Sequence, residues 1–212
     1  MNNTVELLGY YGGDETHALS AWTSTSRDLT DDKRNKIPKL LKMLAEGSDG
    51  NEHGTPFEKS SIHFLVKTDI ASHIHIIKHR IAVSVNAESA RYKEIKEDEY
   101  YVPTDWPVDW ARILDDYTRQ GMRLYHECVK SLENDFNFDR KRAKESARYF
   151  RPYNTQITSD VMFNFRSFMH FYKLRGKPSA QLEIRQIAER MMTLVKETEA
   201  FTYSLEAFGI TW

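Results

Sequence analysis

Residues 73–91 carry three imidazoles (His73, His75, His79) and three cations (Lys78, Arg80, Arg91) within 19 positions, with Ser84, Asn86, Glu88 and Ser89 interleaved and Tyr92 next. Cations this close repel one another unless something anionic sits among them. The segment therefore reads either as a solvated charged face with a core histidine or two, or as an anion site. Arginine offers a planar fork matched to phosphate and carboxylate, and Ser and Asn add neutral donors, which is the chemistry of an anion site. Two further stretches repeat it: residues 140–151, with Arg140, Lys141, Arg142, Lys144, Arg148 and Arg151, and Asn164-Phe165-Arg166 with His170 and Arg175. On a continuous helix Arg140, Lys144, Arg148 and Arg151 share one face.

Other chemistries fit less well. His75 and His79 have the i, i+4 spacing of helical zinc sites. The residues between them are Ile76, Ile77 and Lys78, with no glutamate to act as base, and Lys78 and Arg80 oppose a divalent cation. No metal is expected. Cys128 lies in an apolar stripe with no charged group at i±3 or i±4 to lower its pKa, so it reads as core rather than nucleophile. Neither Gly-x-Gly-x-x-Gly nor Gly-x-x-x-x-Gly-Lys-Ser/Thr occurs, so a nucleotide or flavin is not held in a Rossmann or P-loop cradle.

These residues must be positioned by a framework. Apolar residues alternate at Ile62, Phe64 and Val66, predicting a strand near 60–67, and further strands are expected near 3–8 and 154–163. Helices are expected at 15–23 and 31–45, separated from the 60–67 strand by the loop-like 47–56, where Pro56 disfavours helix at Thr55. Asp69 is placed to cap a short helix carrying Ile70, Ile74 and Ile77 on one side. From Trp106 a long amphipathic helix runs through Trp110, Ile113, Leu114, Tyr117, Leu124, Tyr125, Cys128 and Leu132. A charged helix over 139–149 stops before Pro152, and Ala180, Ile184, Ile187, Ala188, Met191 and Val195 mark another amphipathic helix. The sum is an α+β fold, helix-rich, in one domain over 1–212.

Composition bounds the class. The 212 residues include 30 Lys+Arg against 31 Asp+Glu, a net charge of −1, which argues against a dedicated nucleic-acid binder. Nothing approaches the apolar run a membrane span needs. No secretory signal is visible at the N-terminus, and the single cysteine fits a reducing compartment, so the expected location is cytoplasmic. A non-catalytic nucleotide- or RNA-binding protein using the same basic stretches stands as the alternative to an enzyme.

The run from Lys78-His79-Arg80 to Ser89-Ala90-Arg91-Tyr92 resembles the signature of flavin-dependent thymidylate synthases, Arg-His-Arg-x7-Ser with a trailing Arg-Tyr. His53-Gly54-Thr55-Pro56-Phe57-Glu58 resembles that family's His-x-x-Pro-Phe-Glu element. Residues 143–152 resemble its Ala-Arg…Leu-Pro helix end, Asn164-Phe165-Arg166-Ser167 with Leu174-Arg175 its Asn-x-Arg-Ser…Leu-Arg element, and Ala180-Gln181-Leu182-Glu183-Ile184 its Ala-Gln-x-Glu-Ile. The elements follow in the family's order over most of the chain. This sequence departs in having Lys78 for the first arginine, His75 for a glutamine, and eight rather than seven residues between Arg80 and Ser89.

The resemblance implies the family's fold, with a central, mostly antiparallel sheet, and a homotetramer with FAD and active sites at subunit interfaces. It implies conversion of dUMP to dTMP, with methylenetetrahydrofolate as carbon donor, NADPH as reductant of the flavin and no cysteine nucleophile. By the same resemblance His75, Lys78, Glu88, Ser89, Arg91, Arg148 and Arg175 contact dUMP. Ser24, Thr55, Glu58, Lys78, His79, Arg80, Ile81, Asn86, Asn164, Arg166 and His170 surround the flavin. His53 and Tyr92 line the folate or nicotinamide face, and Arg175 is the catalytic group.

Overall fold

The computed structural model describes residues 2–47, 52–89 and 98–211. Four strands form one antiparallel sheet in the order β1-β2-β4-β3: β1 (Thr4–Tyr11), β2 (Ser61–Asp69), β3 (Val83–Ala87) and β4 (Gln156–Phe163). Along β2, Ile62, Phe64, Val66 and Thr68 are buried while the residues between them are half-exposed, the two-residue period the sequence predicts. The expected strands all form; β3 was not expected. Its Val83-Ser84-Val85-Asn86-Ala87 alternates, but five residues inside a charged segment are a weak signal.

The helices are α1 (Asp14–Trp22), α2 (Asp31–Arg34), α3 (Ile37–Glu46), α4 (Ile70–Ile77), α5 (Val108–Asn134), α6 (Arg140–Ala147), α7 (Phe165–Arg175), α8 (Leu182–Glu197) and α9 (Thr202–Ala207). The single helix expected over 31–45 is in fact α2 and α3. Pro38 cannot donate to the carbonyl of Arg34, and its ring would clash there, so the helix breaks and restarts with Pro38 in its first turn. Several starts are fixed by side chains. Thr30 accepts from Lys33 N–H at 3.3 Å and Asp69 from Ser72 N–H at 2.8 Å. Asp139 accepts from Lys141 and Arg142 N–H, each at 3.0 Å.

The chain gathers into two compact units. The first comprises 1–4, 66–78 and 86–159. Its α5 buries Tyr125 and Val129 against Ala143 and Ala147 of α6, with Cys128 and Leu132 partly buried beside them. Cys128 thus packs, partly buried, against this core. On α4 the buried face is Ser72, His73 and Ile76, not the expected Ile70, Ile74 and Ile77; Ile77 is 43 % exposed. The second unit comprises 5–65, 79–85 and 160–212. Its core is aromatic: Phe57, Phe64, Phe163, Phe165, Phe168, Phe171 and Phe201 are fully buried, with Phe165 and Phe201 stacked 5.3 Å apart.

Candidate active site

In the second unit α7 carries most of the chemistry. Its N-cap, Asn164, accepts from Ser167 N–H at 2.8 Å, so the side chain that starts the helix is also one of the expected flavin contacts. Arg166, in the first turn, donates to the Glu58 carboxylate at 2.7 Å, tying α7 to the short 3-10 turn Thr55–Glu58. Gly54, just before that turn, leaves a space that the Arg166 guanidinium fills: a Cβ there would stand 2.5 Å from the guanidinium carbon and would displace it. The His-Gly-Thr-Pro-Phe-Glu and Asn-x-Arg-Ser elements, far apart in sequence, thus meet through an ion pair and a close backbone approach.

The signature segment is clasped onto the same helix. Ser167 Oγ–H donates to the Ile81 carbonyl at 2.8 Å, and Asn164 N–H to the Ala82 carbonyl at 3.2 Å. Ala82 adopts φ +52°, the left-handed region that a non-glycine residue rarely occupies. At the other end of α7, Arg175 Nε–H donates to His79 Nε2 at 3.1 Å. The His79 ring meets Phe171 edge-on at 5.1 Å and stands 5.9 Å from His170.

Ser24 and His53 are exposed and bond elsewhere: Ser24 Oγ–H to the Ala21 carbonyl at 3.0 Å, His53 N–H to the Leu44 carbonyl at 3.0 Å. Thr55, Arg80, Ile81 and His170 are exposed, and Arg175 is half-buried.

In the first unit, His75 lies in the last turn of α4 and Lys78 caps its end. Because α4 stops at Ile77, His75 and His79 do not share a helix face, and the geometry behind the helical zinc spacing is lost. No group of three or more His, Cys, Asp or Glu side chains that could hold a metal occurs among the described residues. Asn86 is in β3, and Glu88 follows it. The Glu88 N–H donates to the Thr158 carbonyl at 2.9 Å, and its carboxylate accepts from Thr158 N–H at 3.2 Å. Ser89 is half-buried, and Arg148 is exposed at the end of α6. Arg91 and Tyr92 lie outside the described residues.

The basic stripe expected from Arg140, Lys144, Arg148 and Arg151 does not form. After α6 the chain tightens into a 3-10 turn, Arg148–Phe150, and Arg151 is extended. Arg140 pairs with Glu133 at 3.0 Å and Lys144 is buried.

Three residues were not predicted as site residues. Ser167 and Gly54 stand inside the family motifs, and their roles depend on what approaches them, the Ile81 carbonyl and the Arg166 guanidinium. Arg151 is the third: its Nε is buried with no acceptor among the described residues, and burial pushes the guanidinium below its ordinary pKa. A cleft of about 530 Å³ opens beside α5, lined by residues such as Tyr100, Arg119 and His126, and includes none of the predicted contacts.

Chemically, the second unit presents guanidinium, amide, hydroxyl and imidazole groups on a rigid helix, a donor set suited to the anionic pyrophosphate and polar ring edge of a flavin nucleotide. The first carries the Glu88 carboxylate, the Ser89 hydroxyl and the Arg148 guanidinium, groups suited to a ribose and a phosphate.

Comparison with known proteins agrees with that chemistry. Residues 6–199 match the family described as thymidylate synthase complementing protein. A flavin-dependent thymidylate synthase of Pseudothermotoga lettingae is 31 % identical over 201 residues, covering 94 % of this chain and 87 % of its own. That of Kosmotoga olearia is 30 % identical over 214 residues, covering 96 % and 89 %. Among solved structures, a UMP/dUMP methylase, PolB from Streptomyces cacaoi, bound with 5-Br dUMP, superposes with a TM-score of 0.78 at 27 % identity, covering 98 % of this chain and 95 % of that chain. With its motifs in family order and its relatives matched over nearly their full length, the chain belongs to the thymidylate synthase complementing protein family, that of the flavin-dependent thymidylate synthases.

Proposed function

We infer that this protein is a flavin-dependent thymidylate synthase, converting dUMP to dTMP with methylenetetrahydrofolate as carbon donor and NADPH as reductant of its FAD. The observation that carries the reading is the arrangement on α7, where Arg166 is bonded to Glu58, Arg175 to His79 and the Asn164 N–H to the Ala82 carbonyl, so that three motifs meet on one helix. Bound FAD supplies the hydride that completes the methyl group. The residues that would hold it are Asn164, Arg166 and His170 of α7, Thr55 and Glu58, and His79, Arg80 and Ile81, with Lys78, Asn86 and Ser24 as further contacts.

For dUMP, Arg148 and Arg91 would bind the phosphate with Ser89, and Glu88 would accept from the ribose hydroxyl, with His75 and Lys78 alongside. Arg175 would stand against the pyrimidine, where a guanidinium stabilises negative charge at N3 and O4 and activates the ring without a thiolate. His53 and Tyr92 would face the folate or nicotinamide.

The chain is proposed to act as one synthase domain within a cytoplasmic homotetramer. Two features support the assembly. Arg80, Glu88, Arg148, Arg166 and His170 are all exposed in the single chain, whereas a nucleotide site buries most of its ligand. On α5, Trp110, Ile113 and Tyr117 form an exposed apolar stripe, 62 %, 51 % and 61 % exposed.

The test is spectroscopic, then chemical. Protein loaded with FAD and freed of excess is expected to retain a visible flavin band that NADPH bleaches anaerobically. It should then form dTMP only with dUMP and methylenetetrahydrofolate present. Arg175→Ala should lower turnover by 100-fold or more, about 3 kcal/mol of transition-state stabilisation. Retention of no flavin at saturating FAD, with no dTMP formed, would overturn the reading.

A further inference from the structure

His79 has a second use that its place in the signature does not reveal. A guanidinium has only donors, so the 3.1 Å bond from Arg175 Nε–H requires a lone pair on His79 Nε2. The imidazole proton must then sit on Nδ1, and the ring must be neutral; a protonated ring would turn an N–H and a positive charge toward the arginine.

The ring cannot easily swing away. It stands edge-on to Phe171, which is fully buried one turn before Arg175 on the same face of α7. The chain just beyond it is fixed by the bonds of Ile81 and Ala82 to Ser167 and Asn164. Both ends of the contact are therefore held by α7, from its N-cap to its last residue. An arginine side chain has four rotatable bonds and loses much rotamer freedom when fixed. Anchoring Nε removes most of that freedom before any ligand arrives and leaves the two terminal nitrogens to meet one.

We propose that His79 is a positioning residue: its neutral Nδ1–H imidazole anchors Nε of Arg175 and aims the terminal nitrogens of the guanidinium at the pyrimidine of dUMP. The inference rests on the synthase reading for what Arg175 does, and it gives the signature histidine a task apart from contact with the flavin.

Two substitutions separate the tasks. His79→Phe keeps a ring against Phe171 but has no acceptor. His79→Gln keeps an acceptor at about the reach of Nε2. On FAD-loaded protein, with flavin content and melting temperature measured alongside, His79→Phe is expected to lose at least 10-fold in kcat/KM for dUMP per bound flavin. His79→Gln is expected to recover most of that loss. A His79→Phe enzyme with wild-type kcat/KM would overturn the proposal, as would equal loss in both variants accompanied by loss of flavin.

A measurement independent of turnover keeps this apart from the synthase reading. Imidazole 15N spectra of histidine-labelled protein should show His79 as the Nδ1–H tautomer, with an Nε2 resonance that shifts in Arg175→Ala. An Nε2–H tautomer, or an Nε2 resonance indifferent to Arg175→Ala, would dismiss the positioning role even in an active enzyme.

Discussion

Among single residues, His17 shows how burial decides protonation. It is fully buried, with Nδ1 2.8 Å from Ser204 Oγ and Nε2 2.8 Å from Ser60 Oγ, and Ser204 Oγ–H donates to Asp14 at 2.6 Å. Since Ser204 spends its proton on Asp14, its oxygen accepts from His17 Nδ1–H, and in the neutral ring that burial favours, Nε2 accepts from Ser60. The chain of bonds then runs in one direction, Ser60 to His17 to Ser204 to Asp14. Burial lowers the His17 pKa from 6.5 to about 4. As pH falls below 6.5 the unfolded chain takes up this proton before the folded one does, so stability drops until about pH 4, by about 3 kcal/mol in total. Asp14, raised by its own burial, is relieved by protonation at the acid end and offsets part of that drop. Urea titrations from pH 7.5 to 4.5 should show a steep loss of unfolding free energy in the wild type and a flatter one in His17→Gln. Cys128 gives the complementary expectation. Its sulfur packs beside Tyr125 and Val129, so Cys128→Ser should cost stability, about 1 kcal/mol, while leaving turnover within two-fold. A folded but inactive Cys128→Ser enzyme would point to thiol chemistry after all.

At the scale of the element, α7 joins fold to function. Its N-cap, the acceptor of its Arg166 ion pair and the partner of its Arg175 come from the same sequence motifs that identify the family. Asn164→Ala should cost about 1 kcal/mol through loss of the cap, lowering Tm by about 2–4 °C, and should weaken FAD retention more than that stability loss explains. Equal loss of stability with unchanged flavin affinity would confine Asn164 to capping. The start of α4 was legible in the sequence, because a capping side chain bonds within three residues of itself, as Asp69 does. The inward face of α4 was not legible. Three of its four isoleucines, Ile70, Ile74 and Ile77, share one side, yet the buried face is Ser72, His73 and Ile76, so the neighbouring elements rather than the pattern chose it.

At the scale of the molecule, the long stripe predicted on α5 serves two ends. Its C-terminal half, at Tyr125 and Val129, is buried within the chain, whereas Trp110, Ile113 and Tyr117 face solvent. Periodicity alone does not say whether an apolar face is covered by the same chain or by another copy. If the exposed half seats a second copy in the proposed tetramer, Trp110→Glu combined with Tyr117→Glu should yield smaller species by analytical ultracentrifugation. Turnover should fall with the loss of assembly, while the α-helical circular dichroism persists. An unchanged sedimentation coefficient would move the interface elsewhere. No helix among the described residues is long and apolar enough to cross a membrane, as the sequence led us to expect.

The sequence by itself determined the residue types, their order and the local signals: the caps, the alternation in β2, the stop before Pro152 and the run of family motifs. These depend on neighbours a few positions away, so the chain cannot hide them. Only the tertiary structure decided that Glu58 meets Arg166 and that His79 meets Arg175, partners 108 and 96 residues apart. The same holds for the emptiness at Gly54 that admits the Arg166 guanidinium. Such pairings follow from how strands and helices stack around the buried phenylalanines. A hydrogen bond between distant residues has no period in sequence, and the packing that permits it is set by volume and shape rather than by residue type.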